Sequence, residues 1–172
     1  MSTNDMNSDI KKHTISLHVS NKPGVLIRIA LVFSRRGFNI DSLSVSESAD
    51  THFSRMNIVA TGDSKNFDQI LKQLNKLVDV IHAKDNTGTD IIETELALLK
   101  IKCTDETRAE ILQVSHAFGC ETMNLSENTI DLRMADKSEK IDDANKIFSK
   151  YGIIELIRTG KIFIARGDEH TA

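Results

Sequence analysis

The chain has 172 residues, 40% apolar and 27% charged, with seven Phe, one Tyr and no Trp, the balance of a globular protein whose cores are built from Ile, Leu and Val. That length suits one domain or two small ones. A formal charge of −3 offers no electrostatic footprint for nucleic acid, and no apolar run approaches the roughly 20 residues of a membrane span.

Residues 1–12, MSTNDMNSDIKK, are polar and partly acidic. They have neither the apolar core of a signal peptide nor the arginines of a transit sequence, so a disordered tail and a cytoplasmic location are expected. From His13 the pattern becomes regular. Ile15, Leu17 and Val19 alternate as a strand that ends at Ser20. The turn Asn21-Lys22-Pro23-Gly24 follows. Val25, Leu26, Ile29, Ala30 and Phe33 then mark one face of a helix, which Gly37 stops. A second strand begins after Asn39 with Ile40, Leu43 and Val45. A third runs from Phe53 to Ala60. Asp63 or Ser64 caps a helix carrying Phe67, Ile70, Leu71 and Leu74, and Leu77-Val-Asp-Val-Ile81 is predicted to be the fourth strand.

This β-α-β-β-α-β order is the ferredoxin-like plan, four antiparallel strands with two helices on one face. Asp85–Asp90 is turn-rich and predicts a domain boundary, after which the plan repeats. Glu93–Cys103 reads as a strand and Asp105–Phe118 as a helix capped at Thr104 or Asp105. Glu121–Ser126 and Thr129–Met134 read as strands, Lys137–Tyr151 as a helix, and Ile153–Ile157 and Ile162–Ala165 as closing strands. The expected fold class is therefore α+β, two ferredoxin-like βαββαβ domains over 13–86 and 91–167, with a tail at 168–172. Residues 1–88 carry 11 Lys+Arg against 9 Asp+Glu, and residues 89–172 carry 11 against 16, which is compatible with two domains.

No catalytic constellation is visible. The six histidines, at 13, 18, 52, 82, 116 and 170, form no i,i+4 pair and no HxH, so no metal is assigned. Cys103 and Cys120 have neither metal nor redox spacing, as suits a reducing cytosol. The glycines form no phosphate loop, there is no GxSxG, and the strands lack an aromatic platform for RNA. The informative point is the turn before the first helix. A helix begins with amides that lack intrahelical partners and with partial positive charge. Gly24 removes the side chain that would keep a small carboxylate from that backbone. Asn21 and Asn39 flank this helix at opposite ends. Each has a plain reading, Asn21 as a cap or turn residue and Asn39 as a polar strand start. Across a two-fold interface the two can meet, offering side-chain oxygens to an ammonium group.

Asn21-Lys-Pro-Gly-Val-Leu26, opening a β-α-β-β-α-β unit, resembles the ACT domain, a module that binds amino acids and controls metabolic enzymes. Phe33-Ser-Arg-Arg-Gly-Phe-Asn-Ile-Asp-Ser-Leu43, Ser54-Arg-Met56 and Leu74-x-Lys-Leu-Val-Asp-Val-Ile81 resemble the small, regulatory subunits of acetolactate synthase. So do Glu93-x-Glu-Leu-Ala-Leu-x-Lys100, Arg158-Thr-Gly160 and Ala165-Arg-Gly167. The resemblance runs from about His13 to Gly167 and departs most at Cys103–Met134. It implies a non-catalytic homodimer, paired through its ACT domains, that activates the catalytic large subunit and confers feedback inhibition by valine. Thiamine diphosphate, Mg and FAD would belong to that large subunit, with no cofactor here, and branched-chain amino acid biosynthesis would be the setting. Carried over residue by residue, valine would touch Asn21, Gly24, Val25 and Leu26 of one subunit and Asn39 and Ile40 of the other. Neither nucleic acid nor membrane is an expected partner. A free-standing tandem-ACT sensor controlling another enzyme or a repressor is the alternative.

Overall fold

Strand β1 spans Ile10–Ser20 in the computed structural model, which describes residues 9–172. Ile15, Leu17 and Val19 have no exposed surface, because every second side chain of a strand points to the same side. The strand starts earlier than the expected tail boundary. Residues 1–8 lie outside the described residues, but Ile10, Lys11 and Lys12 pair with Asp63, Gly62 and Thr61. The third strand is longer than its apolar pattern, and its free backbone groups extend the ladder.

Helix α1, Val25–Ser34, buries Val25, Ile29, Val32 and Phe33. Strands β2, Asn39–Glu47, and β3, Phe53–Asp63, follow. Helix α2, Ser64–Leu74, is capped by Asp63, whose carboxylate accepts the Lys65 amide at 3.0 Å. Strand β4 is Val80–Asp85, three residues later than the apolar run predicts. Leu77–Asp79 form a turn that leaves Val78 96% exposed. Asn75 explains the shift: its side chain donates to the Ala83 carbonyl at 3.0 Å and accepts the Ala83 amide at 2.9 Å, pinning the strand's register from outside the sheet. The sheet order is β2-β3-β1-β4, antiparallel throughout. One apolar core joins its inner face to both helices. In that core Gly62 permits a close approach, since a Cβ there would lie 2.5 Å from the Phe38 ring.

The second half repeats the plan with β5 (Ile91–Lys102), α3 (Asp105–Phe118), β6 (Glu121–Leu125), β7 (Thr129–Asp136), α4 (Ser138–Ser149) and β8 (Ile153–Arg158). The sheet order is β6-β7-β5-β8, and a separate core is built from Leu99, Ile101, Ile111, Ile130, Ile141 and Phe148. Beside that core a buried carboxylate is paired with a more exposed guanidinium. Glu95, 4% exposed, accepts two bonds from Arg158 at 2.6 and 2.8 Å and one from the Ser138 hydroxyl at 2.7 Å. These donors hold its carboxyl below the usual carboxylate range against the opposing effect of burial. The chain thus has the two ferredoxin-like units that its element order predicts.

The division between the units is not where composition puts it. The first unit runs to Ile92 and takes in Phe163–Ala172, and the second is Glu93–Ile162. Strand β9, Ile162–Ala165, pairs with β5, whose first residues also belong to the first unit. Residues 168–172, expected to be a tail, are bonded to that unit. Lys84 donates to the His170 carbonyl at 3.0 Å, and Ser16 donates to that of Thr171.

Candidate functional site

Gly24 is the N-cap of α1 and lies in the left-handed region, φ 81° and ψ −6°. No side chain caps the helix and its first turn holds no acidic residue, so neither answers the partial positive charge there. Val25 donates to the Lys22 carbonyl at 3.4 Å and Arg28 to that of Gly24 at 3.2 Å. The Gly24, Leu26 and Ile27 amides have no acceptor among the described residues. This is a bare donor cradle at a helix start.

Two side-chain pairs steady it, neither apparent from local sequence. Arg28 is held by Asp79 at 2.5 Å and bends back over the turn, where a Cβ on Gly24 would meet its Nη1 at 3.2 Å. Asn21 does not cap the helix. Its Nδ2 donates to the Thr51 carbonyl at 3.0 Å and approaches Glu47 at 3.5 Å, while its amide donates to the His52 carbonyl at 2.7 Å. The β2–β3 turn is thereby tied to the turn before α1. Asp50 stiffens that loop by accepting from the His52 amide at 3.0 Å and its ring at 2.7 Å. The amide bond is the main reason that its carboxyl sits below the ordinary range.

Of the other candidate residues, Val25 is 3% exposed with its side chain in the core, so only its backbone faces the turn. Leu26 is 41% exposed and Ile40 half-buried against the core. Asn39 opens β2, its Nδ2 donating to Asp41 at 2.6 Å, which leaves its carbonyl oxygen free to accept. Asn21 and Asn39 do not meet within one chain. Asn21 is bound beside Glu47, at the far end of β2 from Asn39, and eight strand steps span about 26 Å. The geometry therefore separates the six candidates into Asn21, Gly24, Val25 and Leu26 at one end and Asn39 and Ile40 at the other.

Beside this turn the surface is unusually apolar. Leu26, Ile27 and Leu31 are 41%, 65% and 44% exposed on α1, and Val45 is 45% exposed on β2. Strand β2 is one of the sheet's two edge strands, bonded to β3 alone. The second unit has no matching cradle. Helix α3 follows β5 after two intervening residues, with a Thr104–Thr107 capping box, and Asp105 and Glu106 occupy its first turn. Caps and charge alike oppose a carboxylate there. Among the described residues no cluster of His, Cys, Asp and Glu could hold a metal, and no helix is long and apolar enough to cross a membrane.

Fold and turn together define the class: a protein of two ACT-type, ferredoxin-like units. The model of the acetolactate synthase small subunit-like ACT domain matches residues 15–82, and that of the small subunit of acetolactate synthase matches 94–167. A probable acetolactate synthase small subunit from Archaeoglobus fulgidus is 39% identical over 92% of this chain and 99% of its own. The acetolactate synthase small subunit of Mycolicibacterium smegmatis is 35% identical over 94% and 95%. The crystal structure of the small subunit from Thermotoga maritima superposes with a TM-score of 0.83 at 32% identity, covering 92% of this chain and 99% of that one. The chain belongs to the acetolactate synthase small subunit family.

Proposed function

We propose that this chain is the regulatory subunit of an acetolactate synthase, raising the activity of the thiamine diphosphate-dependent catalytic subunit and carrying its feedback inhibition by valine. Thiamine diphosphate, Mg and FAD stay with the catalytic subunit. Family membership supports the partner. The effector reading is carried by one observation, the uncapped Gly24 turn lying beside an apolar helix face and an unpaired strand edge. Two copies pairing α1 against α1 and β2 against β2 about a two-fold axis bring the Asn39 end of one strand to the Glu47 end of the other. Asn21, Gly24 and the backbone of Val25 and Leu26 then face Asn39 and Ile40 of the second copy. The amides take the carboxylate of valine, the asparagine oxygens take its ammonium group, and Leu26 and Ile40 enclose its side chain.

Regulation follows from linkage. Valine binds only where both subunits contribute, so it stabilises one pairing geometry, and a catalytic subunit that prefers another is inhibited. The test is acetolactate production by the cognate catalytic subunit, with and without this chain, across a valine titration. Stimulation reversed by valine is expected. Stimulation that valine leaves untouched would keep the partner and discard the effector.

A further inference from the structure

On the side of the first sheet turned away from its helices, Ser16 and Asn86 are only 3% and 1% exposed. What covers them is the chain's own segment Glu169–Ala172, laid across three strands. Lys84 on β4 donates to the His170 carbonyl at 3.0 Å. Ser16 on β1 donates to the Thr171 carbonyl, joined by Asn86 Nδ2 at 3.4 Å. Arg55 on β3 donates to the Ala172 carbonyl. Consecutive strands thus read consecutive main-chain carbonyls, a mode of recognition indifferent to side chains. The one side-chain term is ionic, Glu169 to Lys84 at 3.6 Å.

The occupant is loosely suited to its seat. Glu169 and His170 are exposed and Thr171 and Ala172 half-buried, and Asp-Glu-His-Thr-Ala offers no apolar anchor. Thr171 is tethered through its hydroxyl, which accepts the Ala165 amide at 2.9 Å. Beneath it Asn86 Oδ1 is buried without a partner, an acceptor that this segment does not meet and that the amide of a better-fitting one would. The face is cationic. Among the described residues Lys84 has only Glu169 as a side-chain carboxylate partner, and Arg55 has no side-chain carboxylate partner. His18 and His82 sit opposite each other on the same side.

We propose that this face is a docking surface for an extended, carboxylate-bearing peptide segment of a partner protein, and that residues 169–172 are its resident occupant, displaced when that segment arrives. The inference is independent of the amino-acid site, which lies at the start of α1. The probe is a fluorescent peptide of residues 166–172, Arg-Gly-Asp-Glu-His-Thr-Ala, read by anisotropy. Two receptors open the face: the chain ended at Arg166, and the full chain carrying Glu169→Lys and Thr171→Val, which loosen the strap without touching the surface beneath. Saturable binding to both is expected, at least tenfold tighter than to the unaltered chain. Lys84→Glu in either receptor should weaken it at least tenfold, as should Glu169→Lys in the peptide. Equal binding to open and unaltered chains, or none to the open ones, would overturn the proposal.

Discussion

A single hydrogen at Gly24 keeps the cradle open. Any other residue at φ 81° pays about 1–2 kcal/mol for a left-handed backbone, the smaller figure suiting Asp, whose short polar side chain tolerates that region. In Gly24→Asp the new carboxylate would point toward Arg28 and the free amides, taking the place of the ligand's own. The expected outcome is a folded subunit that still stimulates the catalytic partner but no longer responds to valine, measured as the half-inhibiting concentration. An unchanged value would remove Gly24 from the site. His13 poses a second single-residue question. It is 7% exposed, its ring stacked on Phe67 at 3.7 Å and tilted against Phe38 at 6.1 Å, and its Nδ1 lacks a partner. Burial pushes its pKa down, Lys11 adds to this, and Asp85 and Asp9 oppose it. The unfolded chain therefore takes up this proton near pH 6.5 while the folded one resists. The stability from neutral His13 is fully present above about pH 6.5 and declines as pH falls, levelling off once the folded imidazole itself titrates. In His13→Phe that part of the decline should vanish, as judged by urea unfolding of both proteins across the acid range.

The elements were largely legible in advance because alternation and 3.6-residue spacing report burial directly. Helix α3 falls on Asp105–Phe118 as spacing predicts, with Thr104, one of its two expected caps, as the N-cap, and β9 falls on Ile162–Ala165. The misplacement of β4 has a specific cause: Leu77–Ile81 has the apolar content of a strand, but the side chain of Asn75, a residue outside the strand, decides where pairing begins. Long-range polar contacts leave no local trace. Arg28 and Asp79 are 51 positions apart, so the Asn-x-Pro-Gly turn announced its open backbone but not the guanidinium lying over it. The segment 169–172 was unreadable for another reason, since its carbonyls are what the sheet holds and every residue has one. The Glu95–Arg158 pair spans 63 positions and carries the prediction for this scale. In Arg158→Met the Glu95 carboxylate loses its cation and keeps only neutral donors, the Ser138 hydroxyl and the Gly160 backbone, in a site 4% exposed. Leaving a buried carboxylate without its cation costs at most about 3–5 kcal/mol, the scale of a fully buried pair, and the loss should appear as a lower urea midpoint. Acid should narrow the gap between the two proteins, because Arg158 is the chief reason that Glu95 is held below its usual range. A gap under about 1 kcal/mol at neutral pH, the scale of a surface ion pair, would mean that water reaches the carboxylate.

For the whole molecule, the proposed site makes assembly and sensing one equilibrium. Half of the proposed valine site, Asn39 and Ile40, lies about 26 Å along β2 from the other half, so a monomer holds two incomplete sites. The face that would join two copies is the exposed stripe of Leu26, Ile27 and Leu31, continued by the free edge of β2. Ile27→Lys with Leu31→Lys puts like charges on both sides of a two-fold contact. Because Ile27 and Leu31 are 65% and 44% exposed in the isolated chain, the fold should lose little, within about 0.5 kcal/mol for each surface change. The double variant is expected to sediment as a monomer with unchanged circular dichroism and to bind no valine by calorimetry. Reciprocity supplies the stronger check. If dimerisation creates the site, valine must tighten the wild-type dimer by the same factor by which dimerisation tightens valine, and couplings of about 1–3 kcal/mol correspond to five- to 150-fold. Sedimentation equilibrium with and without valine measures one side of that equality and calorimetry across protein concentration the other. A monomeric variant that bound valine with wild-type affinity would place the whole site within one chain and, since Asn21 and Asn39 lie at opposite ends of β2, would overturn the two-subunit assignment.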